Sequence, residues 1–408
     1  TNIATATDNS GRFSLQVPVP TKTILVSMVN YQQQSVNVNG DGPFMITLGT
    51  SAKGMEEVVV VGYGTQKKKD LTGAVSTIGA KEVGGRQTVQ ISEALQGSIA
   101  GVSVTRSSAA PGAGANILIR GITTIGTNSP LVIVDGVPVS SIDLVNPNDV
   151  DNLTVLKDAA SAAIYGSRGA AGVILITTKR GKAGQNSLDY NYEYGIQQPT
   201  ALPKYVGVQD YYRLFNERRI NDGGGQFYTD DFINSYLDSN RVNPDGFPNE
   251  DWQDLLFTNR HPARQRHDLV FTSGTEKLRT KASLGYQEVG AFYDNYTYKR
   301  YQFRVNNDLQ INRKLSANLD LFYRRTDGTT PTNNPINEGR VMPPFYDAFY
   351  EDGRYAPGKD GRNPMAQMRE GGFSNTRYNQ FSGRVGLQFK PVTGLTLSAM
   401  VAPVFDWN

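Results

Sequence analysis

From Leu188 onward, apolar and polar residues alternate with period two in one segment after another, and no other feature of the chain restricts its fold as strongly. Leu188, Tyr190, Tyr192, Tyr194 and Ile196 alternate with Asp189, Asn191, Glu193 and Gly195. The pattern returns over 278–287, 301–311, 315–323, 381–389 and 395–401, and more weakly over 265–272. It is interrupted on the apolar side by Asn307 and on the polar side by Phe322. Successive side chains of a strand point to opposite faces, so each segment reads as a strand with one apolar face. About seven such strands of roughly 9 to 12 residues have the length that crosses a bilayer at a tilt.

The connections alternate in length. Those at 197–263, 288–299 and 326–379 are long; those at 273–276, 312–314 and 391–394 are short. A soluble sandwich with one polar face has no reason to alternate in this way, whereas a transmembrane barrel has short turns at one end and long loops at the other. Tyr194, Tyr286, Tyr301, Tyr323 and Phe381 stand at strand ends, where interfacial aromatic girdles belong. No run of 18 apolar residues could form a spanning helix, and a barrel needs none. The balance of 41 Lys and Arg against 38 Asp and Glu gives a net charge of +3. With Lys67-Lys68-Lys69 as its one basic run, the chain carries no signature of nucleic-acid binding. The absence of cysteine excludes disulfides, thiolate zinc sites and a cysteine nucleophile, and two histidines, His261 and His267, are too few for a His-rich metal centre. The chain opens at Thr1 without a charged-then-apolar leader, so any signal peptide is expected to have been removed or to lie outside this sequence.

Two regions precede the alternating one. In residues 1–50, short apolar runs at Arg12–Val17, Thr23–Val29, Gln34–Val38 and Phe44–Leu48 are separated by turn residues, as in the second half of a small β-sandwich. A linker at 49–54 leads to Glu56, Glu57 and the run Val58, Val59, Val60, Val61, then Gly62-Tyr63-Gly64. Lys67 stands where a dinucleotide fingerprint needs its third glycine, and Gly181-Lys182 lacks the rest of a P-loop, so no phosphate cradle is present. The valine run reads either as a detachable strand that pairs with a partner's sheet edge or as an ordinary buried strand. Residues 70–182 read as a compact α/β region. Its strands are expected near 102–105, 116–120, 131–134, 153–156 and 172–177, and its helices at 91–99 and 159–165. This region has no histidine from which to build a nucleophile–base pair, and its aspartates look like turn and cap residues. The acidic pairs Asp230-Asp231, Glu250-Asp251 and Glu351-Asp352 fall in long connections, where adjacent acids are ordinarily solvated.

The valine run with Gly62-Tyr63-Gly64-Thr65-Gln66 resembles the TonB-dependent outer-membrane transporters, specifically the SusC-like branch of Bacteroidota. The stretches at 94–104 (ALQGSIAGVSV), 117–138 (ILIRGITTIGTNSPLVIVDGVP) and 146–182 resemble that family's plug in order and spacing. Residues 1–48 resemble the back half of its carboxypeptidase-regulatory-like sandwich. The resemblance implies an all-β-dominated fold: a transmembrane antiparallel β-barrel with a small α/β plug domain at 70–182 and a β-sandwich remnant at 1–50. The TonB box and hinge would occupy 51–69, and the first part of the barrel 183–408. Seven strands cannot enclose a plug of this size, which needs a barrel of about 22 strands. The chain is therefore expected to hold about a third of a barrel.

What the resemblance implies for function is TonB-dependent import of a glycan or peptide across the outer membrane. Partners would be TonB with its inner-membrane energising proteins, a SusD-like surface lipoprotein and outer-membrane lipid, in a pairing of two transporter–lipoprotein units. The N-terminal region would be periplasmic and the long loops extracellular. No cofactor, metal, catalytic group or nucleic acid is expected. A siderophore or cobalamin receptor is the alternative within transport, and a non-transporting structural component or adhesin the alternative outside it. Glu56 to Val61 would form the TonB box, and Gly62, Tyr63 and Gly64 its hinge. Arg120-Gly121, Asp135-Gly136 and Arg168-Gly169 would be structural plug positions. Arg120 and Arg168 would pair with wall carboxylates or plug carbonyls, unless they are solvated loop arginines. Loops carrying Arg106, Ser107, Ser108, Ser140, Ser141 and Asp143 would face the ligand, with 123–129 at the opposite end of the lumen.

Overall fold

In a computed structural model, the described residues are 5–8, 11–17, 23–28, 31, 33–38, 43–48, 58–61, 64–67, 75–86, 88–106, 108 and 110–408, with the backbone alone at 58–61 and 64–67. Two compact units divide the chain, residues 1–72 and 73–408.

In the first unit, β1 (Thr23–Val26) pairs antiparallel with β2 (Gln34–Asn37). Two other expected strands, Arg12–Val17 and Phe44–Leu48, are not formed. Both segments keep alternating exposure, but neither has a ladder partner among the described residues. Alternation fixes which side chains point inward, and a strand needs a second backbone as well. The valine run forms β3 (Val58–Val61), paired antiparallel with β4 (Gly64–Lys67). Val61 faces Gly64, which leaves a two-residue connection at 62–63. Glu56, Glu57, Gly62 and Tyr63 lie outside the described residues.

The second unit opens with the α/β region. Its strands are β5 (Val75–Gly79), β6 (Val102–Arg106), β7 (Ala115–Ile119), β8 (Leu131–Val134), β9 (Val137–Val139), β10 (Val150–Leu156) and β11 (Val173–Thr178). Five form a sheet in the order β5-β10-β11-β8-β9, antiparallel except where β11 runs parallel to β8. β6 and β7 make a separate hairpin. Asp135 (φ 49°) and Gly136 (φ 87°) connect β8 to β9, the positive-φ pair of a two-residue turn that Asp-Gly favours. Helices α1 (Ala80–Gly85), α2 (Ile91–Leu95) and α3 (Ala159–Ala162) cover the sheet.

Two of these helices are shorter than expected. The first stops at Leu95 because Gly97 turns to φ 69°. The second passes into a 3-10 stretch, Ala163–Gly169, with a kink at Gly166. Leu95, Val150, Leu153, Val155 and Ile174 are fully buried in one core cluster. Gly172 (φ 90°) packs its backbone on Ile119, where a Cβ would come within 2.7 Å of Cδ1.

The alternating segments form one antiparallel sheet. It comprises β12 (Asn186–Ile196), β13 (Ala263–Gly274), β14 (Leu278–Gly290), β15 (Thr297–Gln310), β16 (Leu315–Pro331) and β17 (Phe373–Phe389), closed by β18 (Leu397–Val401) and β19 (Val404–Trp407), both on β17. From β12 to β18 every neighbour in sequence is a neighbour in space, as in an up-and-down barrel wall. On the face away from the α/β region, Leu278, Leu284, Phe303, Leu309, Leu319 and Leu387 are exposed. Asn307, the polar residue in that band, accepts a 2.7 Å hydrogen bond from Thr280 on the adjacent strand. Across the ladder, Tyr192 faces His267, His267 faces Tyr286, and Tyr286 faces Tyr301, an aromatic row that tops the apolar band.

The strands continue past that row. β16 and β17 are 17 residues each, longer than a tilted bilayer crossing requires. Beyond the row the outward positions become charged. Lys299 meets Glu288 at 3.3 Å, and Asp327 accepts from both Arg325 and Arg377. This polar extension shortens two long connections, from 288–299 to 291–296 and from 326–379 to 332–372. The connections 197–262 and 332–372 hold α4 (Val208–Asn221), α5 (Asp230–Val242), α6 (Trp252–Leu256), α7 (Pro335–Arg340) and α8 (Pro364–Glu370). They pack on each other through Trp252, Leu256, Met365 and Met368, and through Tyr212 stacked on Phe345 with centroids 5.5 Å apart.

Gly172 has no room for a side chain. Gly172→Val combines a positive φ with a clash against Ile119, and is expected to cost about 2–4 kcal/mol of α/β-region stability. Gly184→Ala, at φ 76° with nothing within 4 Å of a Cβ, carries only the conformational penalty of about 1–2 kcal/mol. Thermal melts of the two variants should rank in that order.

Candidate functional site

Alternation leaves the inner face of the wall polar, and the α/β region lies against it. On β13 the inward positions hold Arg264, Arg266 and Asp268; on β14, Lys281 and Ser283; on β15, Arg300, Gln302, Arg304 and Asn306. Nearly all of these are buried, so each needs a partner. The partners come mainly from the short segment 143–149. The Asp268 carboxylate accepts from Asn146 Nδ2 at 2.6 Å and Asn148 Nδ2 at 2.7 Å. Asp149 meets Lys281 Nζ at 3.5 Å, the Ser283 hydroxyl at 3.2 Å and Arg304 Nε at 3.8 Å. Gln302 donates to the Leu144 carbonyl at 2.9 Å, while Arg300 and Arg324 both donate to that of Asp143.

A second anchor lies where the chain enters the wall. Arg180 bridges Asp308 at 2.7 Å and Asp320 at 2.6 Å, and Asp320 also accepts from Arg384. Asn306 donates to the Thr178 hydroxyl at 2.8 Å. Phe322, the apolar residue on the inward side, is buried with the Arg304 guanidinium 4.6 Å from its ring centre. Its place outside the alternation thus has a packing cause.

Above this seam, toward the end of the long connections, lies a cleft of about 920 Å³, within the range of ligand pockets. One wall is the β6–β7 hairpin with Arg106, Ser108 and Pro111. Another is the end of β12 and β13 with Gln197 and Arg264. The third comes from the long connections, with Tyr293, Asn334 and Arg340. Arg106 is held by Glu93 at 2.8 Å, and the Tyr296 hydroxyl donates to the Pro111 carbonyl at 2.9 Å, fixing the hairpin tip.

The residues singled out from sequence fall in different places. Arg106 and Ser108 line the cleft, while Ser107 lies outside the described residues. Ser140 is exposed away from it, and Ser141 accepts from the Asp143 backbone N–H as a helix cap. Asp143 is buried, its carboxylate held by the backbone and hydroxyl of Ser92 at 2.9 and 2.8 Å, so it braces α2 and presents no face to a ligand. Residues 137–146, expected as a loop, are instead β9 followed by a 3-10 turn over Ile142–Leu144.

Asp135 accepts from Thr178 N–H and hydroxyl and faces Arg304. Arg120 (φ 59°) and Gly121 (φ 94°) turn the chain after β7. Gly169 packs within 3.0 Å of the Ala162 carbonyl at its Cβ position. The Arg120 and Arg168 side chains are exposed, and the expected ion pairs are not formed among the described residues. Sequence reasoning passed over Glu93, Arg264 and Arg340 of the cleft, and the whole inward set of the wall. The signal was there in the polar half of each alternating strand, where Arg, Lys and Asp stood in place of Ser and Thr.

Glu250 and Asp347 join the two large connections. Burial, with Glu250 and Asp245 nearby, pushes the Asp347 carboxyl up to about 6. Burial likewise raises Glu250, which has Asp347 and Asp251 as acidic neighbours.

A plug-like α/β region pinned by buried polar contacts to the inner face of a transmembrane β-sheet defines a plugged outer-membrane barrel. Residues 67–173 match the TonB-dependent receptor plug domain. TonB-dependent receptor P26 of Formosa agariphila is 31% identical across 98% of this chain and 40% of its own length. TonB-dependent receptor SusC of Bacteroides thetaiotaomicron is 34% identical across 75% of this chain and 29% of its own. The RagAB peptide importer in its open-open state superposes with a TM-score of 0.68 at 26% identity, over 85% of this chain and 42% of that one. The chain belongs to the SusC-like TonB-dependent transporters, a family of outer-membrane barrels, and spans about two fifths of the length of the curated relatives it matches across nearly its whole length.

The seam and the connection contact each give an expected outcome. Asp149→Ala leaves buried Lys281 and Arg304 without their shared carboxylate and should cost about 3–5 kcal/mol of plug stability. Hydrogen exchange over 173–178 should report it, with exposed Asp151→Ala as a control within about 0.5 kcal/mol. For Asp347 the folded-state carboxyl holds its proton more tightly than the unfolded one. The contact is therefore strongest below the ordinary carboxylate range and is weakened as pH rises to about 6. The melting midpoint of buried Trp252 fluorescence, in a Trp407→Phe background, should fall over that window, and Asp347→Asn should reduce that fall to the part Glu250 contributes.

Proposed function

We propose that this chain provides the plug and the first wall strands of an importer for a glycan or peptide, driven by TonB and acting with a SusD-like surface lipoprotein at its mouth. In this reading the N-terminal unit is periplasmic, the long connections are extracellular and the protein performs no catalysis. The observation that carries it is the cleft directly above a plug whose contact with the wall is polar. Ligand collects on one side of the plug, and the plug can be displaced because water can replace its hydrogen bonds. The likeness to SusC and to a peptide importer supports a nutrient oligomer over an iron chelate or cobalamin.

The valine run, with its glycine-flanked connection, supplies the strand that TonB would engage by strand addition. Among the described residues its backbone pairs only with β4. Exchanging that short hairpin for a pairing with TonB breaks few hydrogen bonds, and a pull there reaches β5 next. Among the described residues β5 is an edge strand of the plug sheet and is paired only with β10.

Deleting Glu56 to Val61 from the complete transporter should abolish energised uptake while leaving outer-membrane assembly and ligand binding unchanged. Normal uptake by that deletion would remove the coupling assignment.

A further inference from the structure

We infer that the cleft selects an acidic oligosaccharide, a chain of sugars bearing carboxylate or sulfate groups; the inference rests on the import reading above. Three arginines line it: Arg106 from the β6–β7 hairpin, Arg264 from β13 and Arg340 from the end of α7. Glu93 is the one acidic residue among the described lining. Both of its carboxylate oxygens are engaged, one by Arg106 at 2.8 Å and the other by the Val89 N–H at 3.1 Å. Counting Arg106, Arg264 and Arg340 against Glu93, the lining carries a net charge of +2, against +3 for the whole chain.

A charge of one sign concentrated in a recess with low-dielectric walls focuses its field on whatever enters. Guanidinium is also the side chain whose fork matches the paired oxygens of a carboxylate or sulfate. The three arginines come from the plug, the wall and a long connection, so a ligand meeting all of them touches three separate parts of the chain.

The remaining polar lining argues for sugar. Gln90, Gln197, Gln198, Asn334 and Asn337 are carboxamides; Gln197 already donates to the Gly290 carbonyl and Asn334 caps α7 by accepting from Ile336 and Asn337 N–H, and a carboxamide can donate and accept at once. That is the complement of neighbouring hydroxyls, which do the same. Tyr293, Phe257 and Phe292 add flat apolar surface on the same lining.

The test is binding to the complete transporter in detergent, by calorimetry. The probes are acidic hexasaccharides (galacturonate, mannuronate and a sulfated galactan), a neutral glucose hexamer and a hexaglutamate peptide. At least one acidic saccharide should bind about tenfold or more tighter than the neutral hexamer at low salt, with the gap closing by about 0.5 M salt. Arg340→Gln and Arg106→Gln should each weaken that saccharide about tenfold, well beyond any change for the neutral one, and Arg340→Lys should keep part of the affinity. Equal binding of acidic and neutral hexamers, or no effect of either glutamine variant, would overturn the charge assignment while import stands. Tighter binding of hexaglutamate than of every acidic saccharide would replace sugar by peptide. Failure of all five probes to bind would overturn the cleft as the ligand site, leaving import to be judged by the uptake of the box deletion.

Discussion

The structure depends on one contact, the polar seam between segment 143–149 of the plug and strands β13 to β16 of the wall. Its charges are complementary, with Asp149 from the plug against Lys281 and Arg304 from the wall. The two asparagines Asn146 and Asn148 cradle Asp268, a wall carboxylate. A buried ion pair of this kind adds little net stability over an apolar contact of the same shape, because desolvation offsets most of the Coulomb attraction. Its effect is on specificity: a slipped register would leave Lys281 or Asp268 buried and unpaired. The plug is thus positioned strictly but not glued.

The same seam explains why the wall sequence alternates so strictly. Each strand must satisfy lipid on one face and the plug on the other, and neither face tolerates the other's residues. A one-residue slip would carry Arg300 or Lys281 to the face where Phe303 and Leu284 stand. The tight alternation from Leu188 onward is therefore a consequence of two unlike solvents meeting across a sheet one residue thick. This is why transmembrane strands were legible from sequence to within a few residues at their short-turn ends. At the other end the outward side chains change from aromatic to charged, and the ladder of Glu288, Lys299, Asp327 and Arg377 carries the strands beyond the point where the apolar pattern stops. Periodicity in hydrophobicity cannot see a strand whose outward face is polar too.

The site was legible only in part, for a related reason. Arg106 and Ser108 could be picked out because a polar hairpin tip in a plug is conspicuous. Asp143 was misplaced because a short polar side chain in a glycine-rich segment looks the same whether it points to solvent or, as here, to Ser92 Oγ. Arg264 and Arg340 come from segments some 150 or more residues away from Arg106, and only the packing of plug, wall and long connections brings them to one recess. Arg120 shows the opposite limit. An arginine after an apolar strand suggested a charge in need of a partner; among the described residues it is exposed, and its backbone sits at a left-handed turn position. There the described structure shows a constraint on the backbone and none on the guanidinium.

The seam and the cleft also bear on each other. Glu93, which holds Arg106 at the cleft, is on α2 beside Ser92, which holds Asp143 at the seam. The Asp143 carbonyl in turn accepts from Arg300 and Arg324 on the wall. Neighbouring residues of one short helix therefore face the ligand recess and the anchor. Ser92 ties this helix to the segment that meets the wall, and Glu93 ties it to the hairpin at the cleft. The two contacts sit on adjacent residues, so the short helix is fixed on two sides by polar contacts in addition to the burial of Ile91 and Leu95 in the apolar core.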